Sequence, residues 1–221
     1  MLTVEPPRNL ELDHIFVCTS DRRASLEVLL AAGLSPGPNR IHHGQGTAND
    51  CFYFENAYLE LLWMNDEVEI RSAAVKPLCL WERIHWRETG ACPFGIAFRA
   101  TGGFDPAQLA TWPYSAAYLP VGQSIPILSP RDAAEQPMVF LSMNPLPPSS
   151  YGGAENAHLS HRGRARRITC VAHACDTDAD RNVLPGGEKK GGFTPLMVLE
   201  LDGGVGEVSD LRPILPVEIR W

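Results

Sequence analysis

The sequence contains no C-x-x-C pair, no apolar run approaching the roughly 20 residues needed to cross a bilayer, and no surplus of basic charge. Nineteen Lys and Arg stand against 26 Asp and Glu, a formal net charge of -7. A nucleic-acid or anionic-membrane surface needs clustered cations, so neither partner is expected and a small molecule is. The opening "MLTVEPPRNLELDH" has acidic residues and prolines where a secretory signal needs a basic start and an apolar core, so the expected location is cytoplasmic. The six cysteines (18, 51, 79, 92, 170 and 175) lie largely in apolar, strand-like runs, which suits reduced, buried thiols better than a disulfide framework or structural zinc. No serine sits in a G-x-S-x-G elbow, and "GGVGEV" lacks the lysine of a phosphate loop and reads as a turn. There is no repeat array and no heptad.

What is present is a folding chain of ordinary make-up. With 221 residues, 44% hydrophobic and 20% charged, it can bury a sizeable interior as one larger domain or as two small modules sharing a core. "LELDHIFVCTS" alternates and is rich in β-formers, and "DRRASLEVLLAAGL" follows as a helix stopped by Gly33. "CFYFEN" and "AYLELLWM" read as strands joined at Asn56-Ala57, and an extended Arg40 to His43 makes residues 11 to 65 β-α-β-β-β. Leu78, Trp81, Ile84 and His85 then have helical spacing, which predicts an amphipathic connector helix. "CPFGIAFRAT", "YLPVGQSIPIL" and "PMVFLSM" are further strands, and residues 144 to 166 are loop-like with a basic end, "HRGRARR", read as a solvated loop. "RITCVAHACDTDADRNVL" and "LPVEIRW" repeat the opening rhythm, which sets Cys170 opposite His14 and Glu218 opposite Glu60.

Two residues stand out chemically. A histidine inside an apolar strand, His14, needs a hydrogen-bond partner or a metal, because burying its nitrogens unpaired costs on the order of 1 to 3 kcal/mol. Glu60 lies in "YLELLW" and needs a cation or strong donors if it faces inward. Imidazole and carboxylate from different strands begin a site for zinc, iron, manganese or nickel, or else form a satisfied core pair. Trp63, Phe94, Arg99 and Trp112 line an aromatic, cation-gated pocket or are ordinary packing with Arg99 on the rim.

"LDHIFVCTSD", the helix, "HHGQGTAND" and "CFYFENAYLELLW" together resemble the glyoxalase-like proteins of the vicinal oxygen chelate superfamily, over residues 10 to 66. The resemblance implies an α+β fold in which paired βαβββ modules form an incomplete barrel around a cavity. It sets a first module with its connector at 1–89 and an irregular second module at 90–221: strands at 93–143, a loop at 144–166 and repeat-like residues at 167–221, all in one compact unit. It implies a metal held by a first-strand histidine and a last-strand glutamate, which here match His14 and Glu60. His43 or Glu218 would move a proton, and His43, Thr47 and Asn49 would project from "IHHGQGTAND" toward the cavity mouth. The second half departs from the pattern, since "CPFGIAFR" has no histidine and the C-terminal repeat offers Cys170 and Glu218. Two functions follow: a metal-dependent lyase, isomerase or dioxygenase acting on a small oxygenated or aromatic metabolite, and a metal-free binding or sequestering protein. The resemblance, and nothing else in the sequence, implies a homodimer.

Overall fold

Alternating apolar residues set the strands, and their pairings set two sheets. The computed structural model describes residues 1–6, 9–102, 104–105, 109–151, 159–162, 165–175, 195–203 and 206–221. Its elements are β1 (Leu2–Thr3), β2 (Leu10–Thr19), α1 (Arg22–Ala31), β3 (Arg40–His42), β4 (Thr47–Tyr53), β5 (Tyr58–Met64) and α2 (Glu67–Ile70). After these come α3 (Leu80–Ile84), α4 (Trp86–Thr89), β6 (Phe94–Ala100), β7 (Trp112–Tyr114), β8 (Ile125–Ile127) and β9 (Met138–Leu141). The chain ends with β10 (Ile168–Ala174), β11 (Leu196–Leu201), β12 (Val208–Asp210) and β13 (Val217–Arg220).

One sheet runs β3-β4-β5-β2-β6-β9-β8-β7, curled as an open half-barrel. Its two halves share a plan. β2 runs parallel to β5 and β6 parallel to β9, the other two strands of each half add antiparallel, and the halves join along the antiparallel pair β2 and β6. The helix expected after the first strand is α1, capped by Asp21, whose side chain accepts from the Ala24 N–H, and followed by Gly33 at φ 98°.

The second set of four strands is therefore residues 94–141, and the C-terminal strands lie elsewhere. β1, β10, β11, β13 and β12 make a separate sheet, in that order. The likeness between "RITCVAH" and the opening strand reflects apolar alternation alone, and neither Cys170 nor Glu218 takes the place of His14 or Glu60 in the larger sheet. The helix-prone run after β10, 176–184, lies outside the described residues. Ile15, Val17, Leu59 and Leu61 on one face of the larger sheet pack with Leu29 of α1 and with Val171, Leu199, Val217 and Ile219 of the smaller sheet. The other face, bearing Phe16, Cys18, Leu62 and Ala97, forms a second apolar cluster with Ile70, Leu78 and Leu80.

Three expectations are revised. The connector is a 3-10 turn at Lys76–Leu78 followed by α3 and α4, because Cys79 takes a left-handed conformation (φ 54°) and His85 ends α3. "YLPVGQSIPIL" keeps only Ile125–Ile127 as strand. Cys92 and Cys175 form a disulfide across 83 positions, tying the start of β6 to the end of β10. The spacing pattern gave no sign of it because the partners come from different sheets. Cys18, Cys51 and Cys79 are free and buried, and Cys170 is free and half-buried. Among the described residues no helix is long and apolar enough to cross a membrane.

Arg83 holds the connector to the second half. It is 1% exposed, and its guanidinium donates to the carbonyls of Cys92 (2.7 Å), Gln136 (2.8 Å), Ala133 (2.6 Å) and Leu78 (3.2 Å). Removing it leaves several buried carbonyls without a donor. Arg83→Met is expected to lower the free energy of unfolding by about 3 kcal/mol, read from the urea midpoint at unchanged slope.

Candidate functional site

The inner face of the larger sheet bounds a cavity of about 460 Å³. Its walls differ in kind. The first half supplies Asp13 and His14 from β2, Arg40 and His42 from β3, Asn49 and Cys51 from β4, and Tyr58 and Glu60 from β5. The second half supplies Tyr114, Ile125, Ile127, Met138 and Phe140, and the connector adds Leu78 and Leu80.

Adjacent residues on a strand normally point to opposite faces, yet Asp13 and His14 both reach the cavity. The register of β2 against β6 shifts between Leu12 and His14, so Asp13 is an extra residue, a β-bulge that turns its side chain. Its Oδ2 lies 2.7 Å from His14 Nδ1. Arg99 Nη1 stands 3.7 Å from the other oxygen of Asp13, and this guanidinium is fixed by the carbonyls of Leu12 and Asn56 and by Glu11. The His14 ring stacks on Tyr58 with centroids 4.4 Å apart and meets the Phe140 ring edge-on.

Glu60, 6% exposed, sits beyond His14, with Oε2 3.7 Å from Nε2. Its Oε1 accepts from Asn49 Nδ2 at 2.7 Å, and Asn49 Oδ1 accepts the Arg40 N–H at 2.7 Å, which fixes the amide. His42 closes the row. Its Nδ1 is 2.9 Å from Thr47 Oγ1, to which Gln45 Nε2 also donates, and its Nε2 is 3.9 Å from Glu60 Oε1. Burial pushes the His42 pKa down, against the opposing pull of Glu60. Burial and then Glu60 push the Tyr118 hydroxyl up to about 12 and Tyr58 well above its ordinary value, so both remain protonated. The Cys51 thiol is pushed well up by burial, then by Glu60, which leaves it inert as a nucleophile.

The structure thus brings His14, Glu60 and Asn49 together. Thr47 is buried behind them, supporting His42. The remaining expected residues point elsewhere. His43 lies in the turn after β3 and is exposed, while His42 has the facing expected of it. Trp63 is one step out of phase with Glu60 and lies under the Arg22 guanidinium, 4.9 Å from its ring center, outside the cavity. Phe94 belongs to the outer core, and Arg99 lines a separate, smaller cavity while backing Asp13. Trp112 is on the sheet edge, its Nε1 donating to the Ser129 carbonyl and its ring under Arg131. Glu218 is in the other sheet, paired with Arg220 at 2.8 Å. Sequence reasoning missed Asp13, His42 and Tyr118. His42 was within reach, because counting alternation back from Asn49 through the hairpin gives it the cavity side, whereas the bulge at Asp13 leaves no sequence mark.

A divalent ion could be shared by His14 Nε2 and Glu60 Oε2. The second half does not complete such a set: where the first has the strand pairs His14–Tyr58 and Phe16–Glu60, it has Gly95–Met138 and Ala97–Phe140. A side chain at Gly95 would also collide with the Phe16 ring, since a Cβ there lies 2.0 Å from it. Among the described residues no group of three or more His, Cys, Asp and Glu is arranged to hold a metal ion. Two donors do not fit an ion held by protein ligands alone.

Residues 12–110 match the family profile described as a glyoxalase-like domain. No curated protein matches the chain in sequence. Among solved structures, a variant of Streptomyces coelicolor methylmalonyl-CoA epimerase in complex with 2-nitronate-propionyl-CoA is 20% identical, over 59% of this chain and 94% of that one, with a TM-score of 0.40. The Mycobacterium tuberculosis methylmalonyl-CoA epimerase is 15% identical over 59% and 85%, with a TM-score of 0.39. A hypothetical protein from Staphylococcus aureus is 14% identical over 61% and 60%, with a TM-score of 0.40. These likenesses concern the fold and not the chemistry.

Because burial lowers the folded pKa of His42 below its ordinary 6.5, the unfolded chain binds this proton first as pH falls. Its contribution to stability is complete above pH 6.5 and is lost as pH drops from there through the folded value. Urea unfolding from pH 7.5 down to 5 is expected to show this decline, and His42→Gln to flatten it.

Proposed function

From a chain that carries a glyoxalase-like domain of the vicinal oxygen chelate superfamily over residues 12–110, we propose a protein that binds a small oxygenated or aromatic molecule in the cavity beneath the larger sheet. His14 and Glu60 meet its inner end. One observation carries this reading: a buried imidazole and a buried carboxylate face the cavity 3.7 Å apart, opposite a wall of Ile125, Ile127, Met138 and Phe140. The cost of burying Glu60 is offset only in part by Asn49, so a ligand that donates to it gains what water would otherwise supply.

Asp13 gives the pair its chemical capacity. A carboxylate on Nδ1 keeps the proton there and leaves Nε2 as the basic atom facing the cavity, able to take a proton from a ligand O–H, N–H or activated C–H. Binding or sequestering needs only the first of these properties, and an isomerase-type reaction would use both. A metal-dependent reading would rest on His14 and Glu60 alone, 3.7 Å apart, with every other ligand drawn from substrate or solvent.

One set of samples separates the readings: the chain purified without chelator, with His14→Ala and Glu60→Gln. A panel of small aromatic and oxygenated compounds is expected to raise the melting temperature of the parent by about 5 °C at a hundredfold excess over Kd, and to leave both variants unmoved. Stoichiometric metal in the parent, lost in both variants, would replace the metal-free reading. A parent that no compound shifts would end it. Sedimentation of the same samples reports whether the chain pairs, as the resemblance implies.

A further inference from the structure

Resting on the reading that the cavity holds a small molecule, we infer that the inner end of that molecule is a primary or secondary ammonium group on an apolar or aromatic body. Donors and acceptors at the polar wall lead there. Asp13 Oδ2, 2.7 Å from His14 Nδ1, can only accept, so Nδ1 is the donor of that pair and the neutral ring turns an Nε2 lone pair to the cavity. Nε2 stands 3.7 Å from Glu60 Oε2, too far for a hydrogen bond, so the two share no proton. The other Glu60 oxygen is occupied by Asn49 Nδ2, which cannot turn away because its Oδ1 accepts the Arg40 N–H.

The wall therefore presents two acceptors, one of them charged, with no donor between them. A carbonyl, carboxylate or phosphate head would meet only lone pairs. An ammonium nitrogen about 2.8 Å from each atom spans the gap and donates to both.

Charge and ring placement agree with this. Asp13 has the Arg99 guanidinium 3.7 Å away, whereas the nearest basic groups to Glu60 are the imidazoles of His14 and His42, at 3.7 and 3.9 Å. The rings of Tyr58, Phe140 and Tyr118 line the same cavity, and ring faces attract cations. Arg40, the one guanidinium among the described lining residues, lies over the Tyr118 ring at 5.1 Å and would suit an acceptor toward the outer end of the ligand.

Phenethylammonium, phenethyl alcohol and 3-phenylpropionate share one aromatic body and differ in the head group. Each is titrated near neutral pH into the full chain and into Glu60→Gln, with affinity from calorimetry and location from the His14 and His42 imidazole resonances. Phenethylammonium is expected to bind and move both resonances, 3-phenylpropionate to bind about thirtyfold more weakly or worse, and Glu60→Gln to lose that preference. Equal or tighter binding of the alcohol or the carboxylate at those resonances would overturn the inference and leave the cavity reading standing, as would an ammonium affinity unchanged in Glu60→Gln. If none of the three moves either resonance in the parent, the cavity reading falls with it. The head-group comparison in the parent needs no variant, so it decides even if Glu60→Gln does not fold.

Discussion

The antiparallel pairing of β2 with β6 carries one extra residue, Asp13, and the polar end of the cavity depends on it. Without the bulge, alternation would send Asp13 into the outer core, where a carboxylate cannot stay without a partner. With it, Asp13 reaches His14 on one side and approaches Arg99 on the other. The same pairing joins the two halves of the sheet, so the strand that closes the half-barrel also aims the histidine.

The two halves share a strand plan and differ in chemistry. On the inner strands, His14 and Glu60 have as their counterparts an apolar wall with Met138 and Phe140, and Gly95 beside the Phe16 ring. The cavity is amphipathic as a result. A ligand lying in it has one edge against imidazole, carboxylate and amide and one face against aliphatic and aromatic carbon. Arg83, buried behind the connector, keeps Leu78 and the loop before β9 in place, so the apolar wall depends on a cation that never touches the cavity.

The first half was legible because its signals are local. Asp21 and Gly33 bound α1, the alternation of "YLELLW" puts Glu60 and Trp63 on opposite faces, and Asn49 faces Glu60 once the hairpin is counted. The choice of His43 over His42 was an error of phase by one residue, which in a strand reverses the facing. Trp63 and Phe94 face away from the cavity by strand parity, whereas Trp112 shares the face of Tyr114 but sits at the sheet edge, beyond the cavity lining. The C-terminal repeat misled because an apolar alternating strand has the same appearance in either sheet, and nothing local says which neighbours it will pair with.

By itself the sequence determined that residues 11 to 65 form β-α-β-β-β, because that follows from periodicity and from turn residues close in the chain, whereas the common facing of His14 and Glu60 was implied by the resemblance and is set by the register of β2 on β5. Tertiary structure alone decided that β6 to β9 are the second half, that Cys92 meets Cys175, and that Asp13 turns toward His14. Each of these depends on pairings between distant segments, whose register comes from which faces can be buried together and not from any one stretch of residues.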